Sequence, residues 1–331
     1  MTNFDHLSYV RHSSSLAMTA VSKSIAIIAA LAGAVASLPP TAYAQDRAAE
    51  PFLPGVFSPD GKMTLTPGFS PDGNSIYFAQ TECLPIWECP QRLKRIRRTE
   101  AGWSDPELVP LPEDARVDYP SVSPDGARLL FSWAPERLDL GLRPGDENFD
   151  LYELDLTRAN AVPVRINGPD LNRLRTGRVR SLRFVNNETA PHLTRDGDLY
   201  FWSERLDAVG DRDVFVAQAD GNGGYLSPVP LGPPINSVGR EDGAWISPEG
   251  DLMLLTLTKP GGCGRSDLYV SRQVDGAWTE PENLGCTINS PYDEYGAARM
   301  PDTGAIVFPS DRPTPDTAPG TVQLFSAPFP D

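Results

Sequence analysis

One turn, written five times, constrains this chain more than anything else in it. Phe69-Ser-Pro-Asp-Gly73 leads into Asn74-Ser-Ile-Tyr-Phe78, and variants end at Gly126, Gly197, Gly250 and Gly304. Each turn is followed by a β-rich run: ARLLF, DLYF, DLMLL or AIVF. Proline presets φ near −65° at the first turn position, aspartate bonds its own backbone, and glycine supplies positive φ. The turn glycines are spaced by 53, 71, 53 and 54 residues. A strand–turn–strand unit recurring at such a period marks a radial or stacked repeat.

Further along each copy comes a third strand: Arg92–Arg97, Asp150–Leu154, Asp213–Ala217, Asp267–Ser271 and Val322–Ser326. In the three middle copies an aspartate precedes alternating apolar residues, the period of a half-buried strand. A glycine-bearing turn and a fourth strand follow at 102–108, 224–231 and 276–284, and their Trp or Tyr reads as a packing anchor. Four up-and-down strands per repeat make the blade of a β-propeller. The expectation is an all-β chain forming a single propeller of five four-stranded blades, with six the less favoured count. The long interval carries insertions near 135–148 and 170–186. The last copy lacks a fourth strand, and Pro51–Phe57 resembles one, so the N-terminal segment is expected to close the ring and remove its open edge.

The repeats at Gly73, Gly126 and Gly250, with IYF-like strands after them and DLY further on, resemble the TolB-like, WD-repeat-like periplasmic propellers. The resemblance covers about residues 51–331; Thr194-Arg-Asp-Gly197 and Met300-Pro-Asp-Thr-Gly304 depart from the pattern. It implies the fold, an exported location and, as a tendency of the class, binding of a protein or other ligand.

The N-terminus reads as a targeting segment. Ser24–Leu38 is apolar, follows Lys23, and precedes Ala42-Tyr43-Ala44, an A-x-A cleavage signal. The expected organisation is a signal peptide over 1–44 (translation starting at Met18 being the alternative to Met1), a tail over 45–50, and the propeller over 51–331. Residues 24–38 are short for a membrane span. The protein is expected in the periplasm or secreted, as a monomer. The net charge of −15 argues against a general nucleic-acid binder. Export permits disulfides, and four cysteines allow three pairings; Cys83–Cys89 with Cys263–Cys286 is the pairing expected, the second flanking a hairpin. Zinc is the competing use, but His192 is the single histidine beyond the leader and there is no C-x-x-C.

Alternate turns of an up-and-down blade go to opposite faces. The repeated turns share a uniform face. The loops between second and third strands (81–91, 134–149, 204–212, 259–266 and 311–321) and the 168–187 connection share the other, where function is expected. Three features fall there. Glu188, Glu241 and Glu294 each lie seven residues before the turn's proline position, with Asp118 one residue out of step. Carboxylates converging from several blades could bind a cation or a peptide amine, or supply an acid/base pair; the structural alternative is that they cap backbone N–H groups. Arg173, Arg175, Arg178, Arg180 and Arg183 crowd one insertion and suit capture of an acidic protein or glycan, whereas Arg92, Lys94, Arg95, Arg97 and Arg98 belong to a strand. His192 lies on an innermost strand near the channel. No Gly-x-Ser-x-Gly elbow is present. Asp150, Asp213 and Asp267 read as structural.

Together these features point to non-catalytic binding of a protein, peptide or cell-envelope ligand. The alternative is a carbohydrate-active hydrolase or lyase using channel-mouth carboxylates. No cofactor is implied beyond a structural or channel-mouth cation.

Overall fold

A computed structural model describes residues 48–57, 61–84, 89–112, 116–135, 149–173, 187–205, 208–318 and 320–329. The expected leader and the arginines at 175, 178, 180 and 183 lie outside them.

Five antiparallel sheets form the five blades of a propeller. Blade one contains β2 (Met63–Phe69), β3 (Ser75–Thr81) and β4 (Arg92–Thr99). Its outer strand is split into β5 (Gly102–Trp103) and β6 (Glu107–Leu108). Blade two is β7 (Arg116–Val122), β8 (Arg128–Ala134), β9 (Asp150–Asp155) and β10 (Val164–Arg165). Blade three is β11 (Glu188–Leu193), β12 (Leu199–Ser203), β13 (Asp213–Ala217) and β14 (Val229–Pro230). Blade four is β15 (Glu241–Ile246), β16 (Leu252–Leu257) and β17 (Asp267–Val274), with β18 (Ala277–Trp278) and β19 (Glu282–Asn283) outside. Blade five is β20 (Ala298–Arg299), β21 (Ile306–Ser310) and β22 (Gln323–Ala327). It is completed by β1 (Glu50–Pro51), which pairs Glu50 with Ser326 and Pro51 with Phe325. The ring therefore closes through the N-terminal segment, as expected from the sequence, but the closing strand is Glu50–Pro51 and not the expected Pro51–Phe57, whose remaining residues form turns.

The repeated turn behaves as its residue types require. Ser70 Oγ donates to Asp72 (2.6 Å), the Asn74 N–H donates to the same carboxylate, and Gly73 sits at φ +69°. Ser123, Asp125 and Gly126 repeat the arrangement, and these hydrogen bonds hold the Asp72 and Asp125 carboxyls below their ordinary pKa.

Side chains alternate along each strand, so every blade feeds two cores. Leu252 and Leu254 of β16 pack with Ile306, Phe308 and Phe325 of blade five. Met253, Leu255 and Leu257 of the same strand pack with Val214 and Val216 of blade three. Equivalent clusters fill the other three gaps, the one between blades five and one including Phe57 just after the closing strand. At about 25 cal/mol per Å² of apolar area, this burial is what holds the blades together.

Repeated polar side chains finish the frame. The amides of Asn172, Asn236 and Asn289 bond both the N–H and the C=O of Leu151, Val214 and Leu268, standing in for a strand residue. Asp213 accepts from the Val209 and Gly210 N–H groups, and Asp267 from those of Cys263 and Gly264. Asp150 accepts instead from Arg165 Nε at 2.7 Å. The disulfides are Cys83–Cys89 and Cys263–Cys286. Among the described residues no helix is long and apolar enough to cross a membrane.

Candidate functional site

The innermost strands β2, β7, β11 and β15, with the segment leading into β20, line the central channel. Their pairing with the second strands places Thr64, Val117, Glu188, Glu241 and Glu294 at one level. The next level holds Leu65, Asp118, Thr189, Asp242 and Tyr295. A one-residue bulge follows in every blade, centred on Thr66, Tyr119, Ala190, Gly243 and Gly296. The last four of these have φ between 52° and 56°. Two residues beyond it come Gly68, Ser121, His192, Trp245 and Ala298. The repeat thus builds the channel as a stack of five-residue rings.

The glutamates of this ring are buried and hydrogen-bonded within the frame. Glu294 is fully buried; it accepts from the Ser290 N–H (2.8 Å), Ser290 Oγ (2.6 Å) and Ser310 Oγ (2.7 Å), and pairs with Arg312 at 2.9 Å. Glu241 accepts from the Ser237 N–H and Oγ and pairs with no arginine among the described residues, and burial pushes its carboxyl up to about 7. Glu188 accepts from Arg205 Nε (3.2 Å) and Ser203 Oγ (3.3 Å), while its Oε2 has no partner among the described residues. Burial raises the Glu188 pKa against the pull of Arg205. Asp118, one residue out of step in sequence, belongs to the next ring. It accepts from Thr66 Oγ1 across the blade boundary and from the Tyr119 N–H (2.8 Å), and burial pushes its carboxyl up to about 6.

The bulge ring forms a waist. A Cβ on Gly243 would lie 2.8 Å from the Gly296 nitrogen, and one on Gly296 would lie 2.3 Å from Thr66 Cγ2. Above the waist, on the loop face, lies a cavity of about 640 Å³ lined from all five blades. Its walls carry Tyr119, Thr256, Tyr295 and Val322, with Leu84 from the disulfide-closed loop. Its polar groups are Arg212, Asp242, Ser266, Asp293 and Asp311. Arg212 lies between Glu204 (2.7 Å) and Asp242 (2.5 Å) and stacks on the Trp202 ring at 4.6 Å. Arg265, 57% exposed, bridges Asp293 (2.8 Å) and Asp311. The Tyr295 hydroxyl is buried without a partner among the described residues, as is Thr189 Oγ1 in the same ring. Desolvation and the charge of Asp118 raise the pKa of both Tyr119 and Tyr295; Asp242 adds to this at Tyr119, and Asp293 and Asp311 at Tyr295.

Below the waist, on the face of the repeated turns, is a smaller cavity of about 150 Å³. Four turn prolines, Pro71, Pro124, Pro248 and Pro301, line it with His192 and Trp245. His192 is half-buried, and desolvation holds its imidazole below the ordinary pKa. His192 therefore opens on the opposite mouth from the predicted acids, and the uniform face is not featureless. Arg173 is exposed and lines neither cavity. In the second basic cluster Arg95 and Arg97 pair with Glu107, and Arg98 with Asp302. No group of three or more potential metal ligands converges among the described residues.

Sequence reasoning selected the glutamates and passed over the residues that follow them. Strand alternation was the signal available: a residue that anchors a blade is followed by one facing the other way. Asp242 and Tyr295 directly follow Glu241 and Glu294.

No known family profile matches the chain, and no curated protein does. Among solved structures it is similar to TolB from Acinetobacter baumannii, at 17% identity and TM-score 0.45, over 80% of this chain and 54% of that one. This chain thus spans about half the length of that TolB structure. It is also similar to the α-L-arabinofuranosidase from Lactobacillus brevis, at 13% identity and TM-score 0.48, over 83% and 94% of the two chains. A putative TolB from Agrobacterium tumefaciens matches at 20% identity and TM-score 0.44, over 76% and 71%.

Proposed function

We propose that this chain is an exported, non-catalytic binding propeller that receives part of a protein, peptide or cell-envelope ligand in its loop-face mouth. One observation carries the reading: the cavity of about 640 Å³ to which every blade contributes a wall. Its size suits a short peptide segment or a small ligand, and its mix of apolar wall and few polar groups is that of binding sites in general. Two disulfides brace the mouth. Cys83–Cys89 closes the loop that presents Leu84, and Cys263–Cys286 holds the loop that presents Arg265 and Ser266. Such bonds persist in oxidising compartments, which supports a periplasmic or secreted location.

The carbohydrate-active alternative needs two or three of Glu188, Glu241 and Glu294 free in an open cleft. All three are buried and engaged by serine or arginine, so they give it no support. The test is capture of cell-envelope components by the wild-type protein and by Ser266→Trp, which fills the mouth from its half-exposed rim. A third form neutralises Arg173, Arg175, Arg178, Arg180 and Arg183. Capture is expected to be lost in Ser266→Trp. Equal capture by the wild type and Ser266→Trp would overturn the reading, and loss only in the arginine variant would move the site to that insertion.

A further inference from the structure

Resting on the reading of the mouth as a binding site, we infer that the group it recognises is an alkylammonium, and that Arg265 is a tethered occupant competing for part of its place. Three carboxylates line the cavity, Asp242, Asp293 and Asp311, with side chains 25%, 34% and 20% exposed. Among the described residues the one lining base is Arg212, which is 10% exposed and already held between Glu204 and Asp242. The walls add the rings of Tyr119 and Tyr295, and aromatic faces beside carboxylates attract cations.

Two further observations point to a ligand. Carboxylates surround the floor: besides desolvation, Asp118, Asp293 and Asp311 raise the Tyr295 pKa, and Asp118 and Asp242 raise that of Tyr119 against Arg212 and Arg116. The Tyr295 hydroxyl is also buried without a partner among the described residues, and buried polar groups are rarely left so. An ammonium N–H donating to that oxygen would satisfy it.

Arg265 shows what the rim accepts. Its guanidinium reaches from the β16–β17 loop to Asp293, in the connection between blades, and to Asp311, in the β21–β22 loop. Neither carboxylate belongs to its own loop, and the side chain is more exposed than buried. The two aspartates are therefore set at a spacing that one cation bridges. A ligand ammonium entering the mouth replaces Arg265 at these carboxylates, while its alkyl chain lies against Leu84 and Val322.

The alkylammonium can come from a free diamine or from a lysine side chain of a peptide. The test is 19F NMR of the full chain labelled with 3-fluorotyrosine, with Tyr119 and Tyr295 assigned by their Phe variants. Probes are 1,5-diaminopentane, end-blocked Gly-Lys-Gly, 1,5-pentanediol and glutarate. The diamine, the lysine peptide or both are expected to shift the two resonances; which one does so identifies the source. Arg265→Gln is expected to tighten cation binding roughly two- to fivefold, the worth of an exposed ion pair. Arg195→Gln, which removes the same charge from the opposite face beside Glu249, should leave affinity unchanged. Shifts with the diol or glutarate alone would overturn the alkylammonium assignment and leave the mouth as a site. No shift with any probe would count against both. Weaker cation binding in Arg265→Gln, or equal tightening in Arg195→Gln, would refute the role of Arg265.

Discussion

Replacing each member of the glutamate ring by glutamine should yield three different costs, because the three carboxylates are anchored differently. Glu294 is the extreme case. Its two oxygens accept three hydrogen bonds from Ser290 and Ser310 and pair with Arg312, whose side chain is 13% exposed and lies over the Phe308 and Phe325 rings. Glutamine keeps one acceptor, sets its NH2 against the Ser290 N–H, and leaves the guanidinium uncompensated. Breaking a buried pair from one side costs about 3–5 kcal/mol, which corresponds to a fall in Tm of roughly 6–15 °C. Glu188→Gln should cost less, about 2 kcal/mol, although its pair with Arg205 is equally buried. Burial raises the Glu188 pKa against the pull of Arg205, so the substitution removes less charge. The Glu188 Oε2 meets no donor among the described residues, and Arg205 keeps a second bond to the Asp170 carbonyl. Glu241→Gln should cost about 1 kcal/mol, since among the described residues Ser237 alone engages it. Denaturant melts of the three variants read the order directly. A Glu294→Gln cost below that of Glu241→Gln would refute the claim that arginine anchorage sets the ring's energetics.

The remaining predictions concern pH, cross-links, close packing and closure. Burial lifts the Glu241 carboxyl from its ordinary 4.5 to about 7 and that of Asp118 from 3.8 to about 6. The folded state thus binds protons that the unfolded state releases, so these groups contribute stability fully present below about pH 4 and lost as pH rises through 6 to 7. Glu241→Gln should therefore flatten Tm measured between pH 5 and 8, and an unchanged slope would count against it. Removing Cys263–Cys286, at a sequence separation of 23, should cost about 3 kcal/mol, and removing Cys83–Cys89, at a separation of 6, about 2 kcal/mol, by denaturant melts of the Ser pairs. Gly68→Ala should destabilise by about 1–3 kcal/mol, because its Cβ would fall 2.1 Å from the Pro120 carbonyl oxygen on the adjacent innermost strand. Phe57→Ala, which empties a fully buried position beside the closing strand, should cost about 3–5 kcal/mol; a loss under 1 kcal/mol would mean that closure matters little.

The blades were legible because each is announced locally. A Ser-Pro-Asp-Gly turn needs only its own residues to form, and the period of two in strands such as Leu252–Leu257 states which side chains face which neighbour. Closure by the N-terminal segment was legible too, from a missing fourth strand at one end and a spare one at the other. The site was less so. Repetition made Glu188, Glu241 and Glu294 conspicuous, yet what a repeat copies is its scaffold, and these residues hold the blades. The residues lining the mouth differ in type from blade to blade (Leu84, Tyr119, Arg212, Asp242, Tyr295), so beyond strand alternation no shared residue type marks them. The bulge that forms the waist could not be read either. Its left-handed residue is glycine in two blades but Tyr119 and Ala190 in others, and a non-glycine residue gives no local sign of positive φ.

Closure through β1 also bears on the order of assembly. Blades one to four are each contiguous in the chain, but blade five joins a two-residue strand from one end to three strands from the other. As the chain emerges during synthesis, the four contiguous blades can pair their strands in turn, while Phe57 and its neighbours wait for Val307 and Leu324 before their cluster can close. Until then β22 and β1 present unpaired backbone and the facing sheets of blades one and five leave apolar side chains uncovered, the condition in which two copies exchange segments. Joining the two ends of the ring with a short linker and reopening the chain between two other blades would make every blade contiguous. Such a circular permutant should give fewer exchanged dimers on refolding.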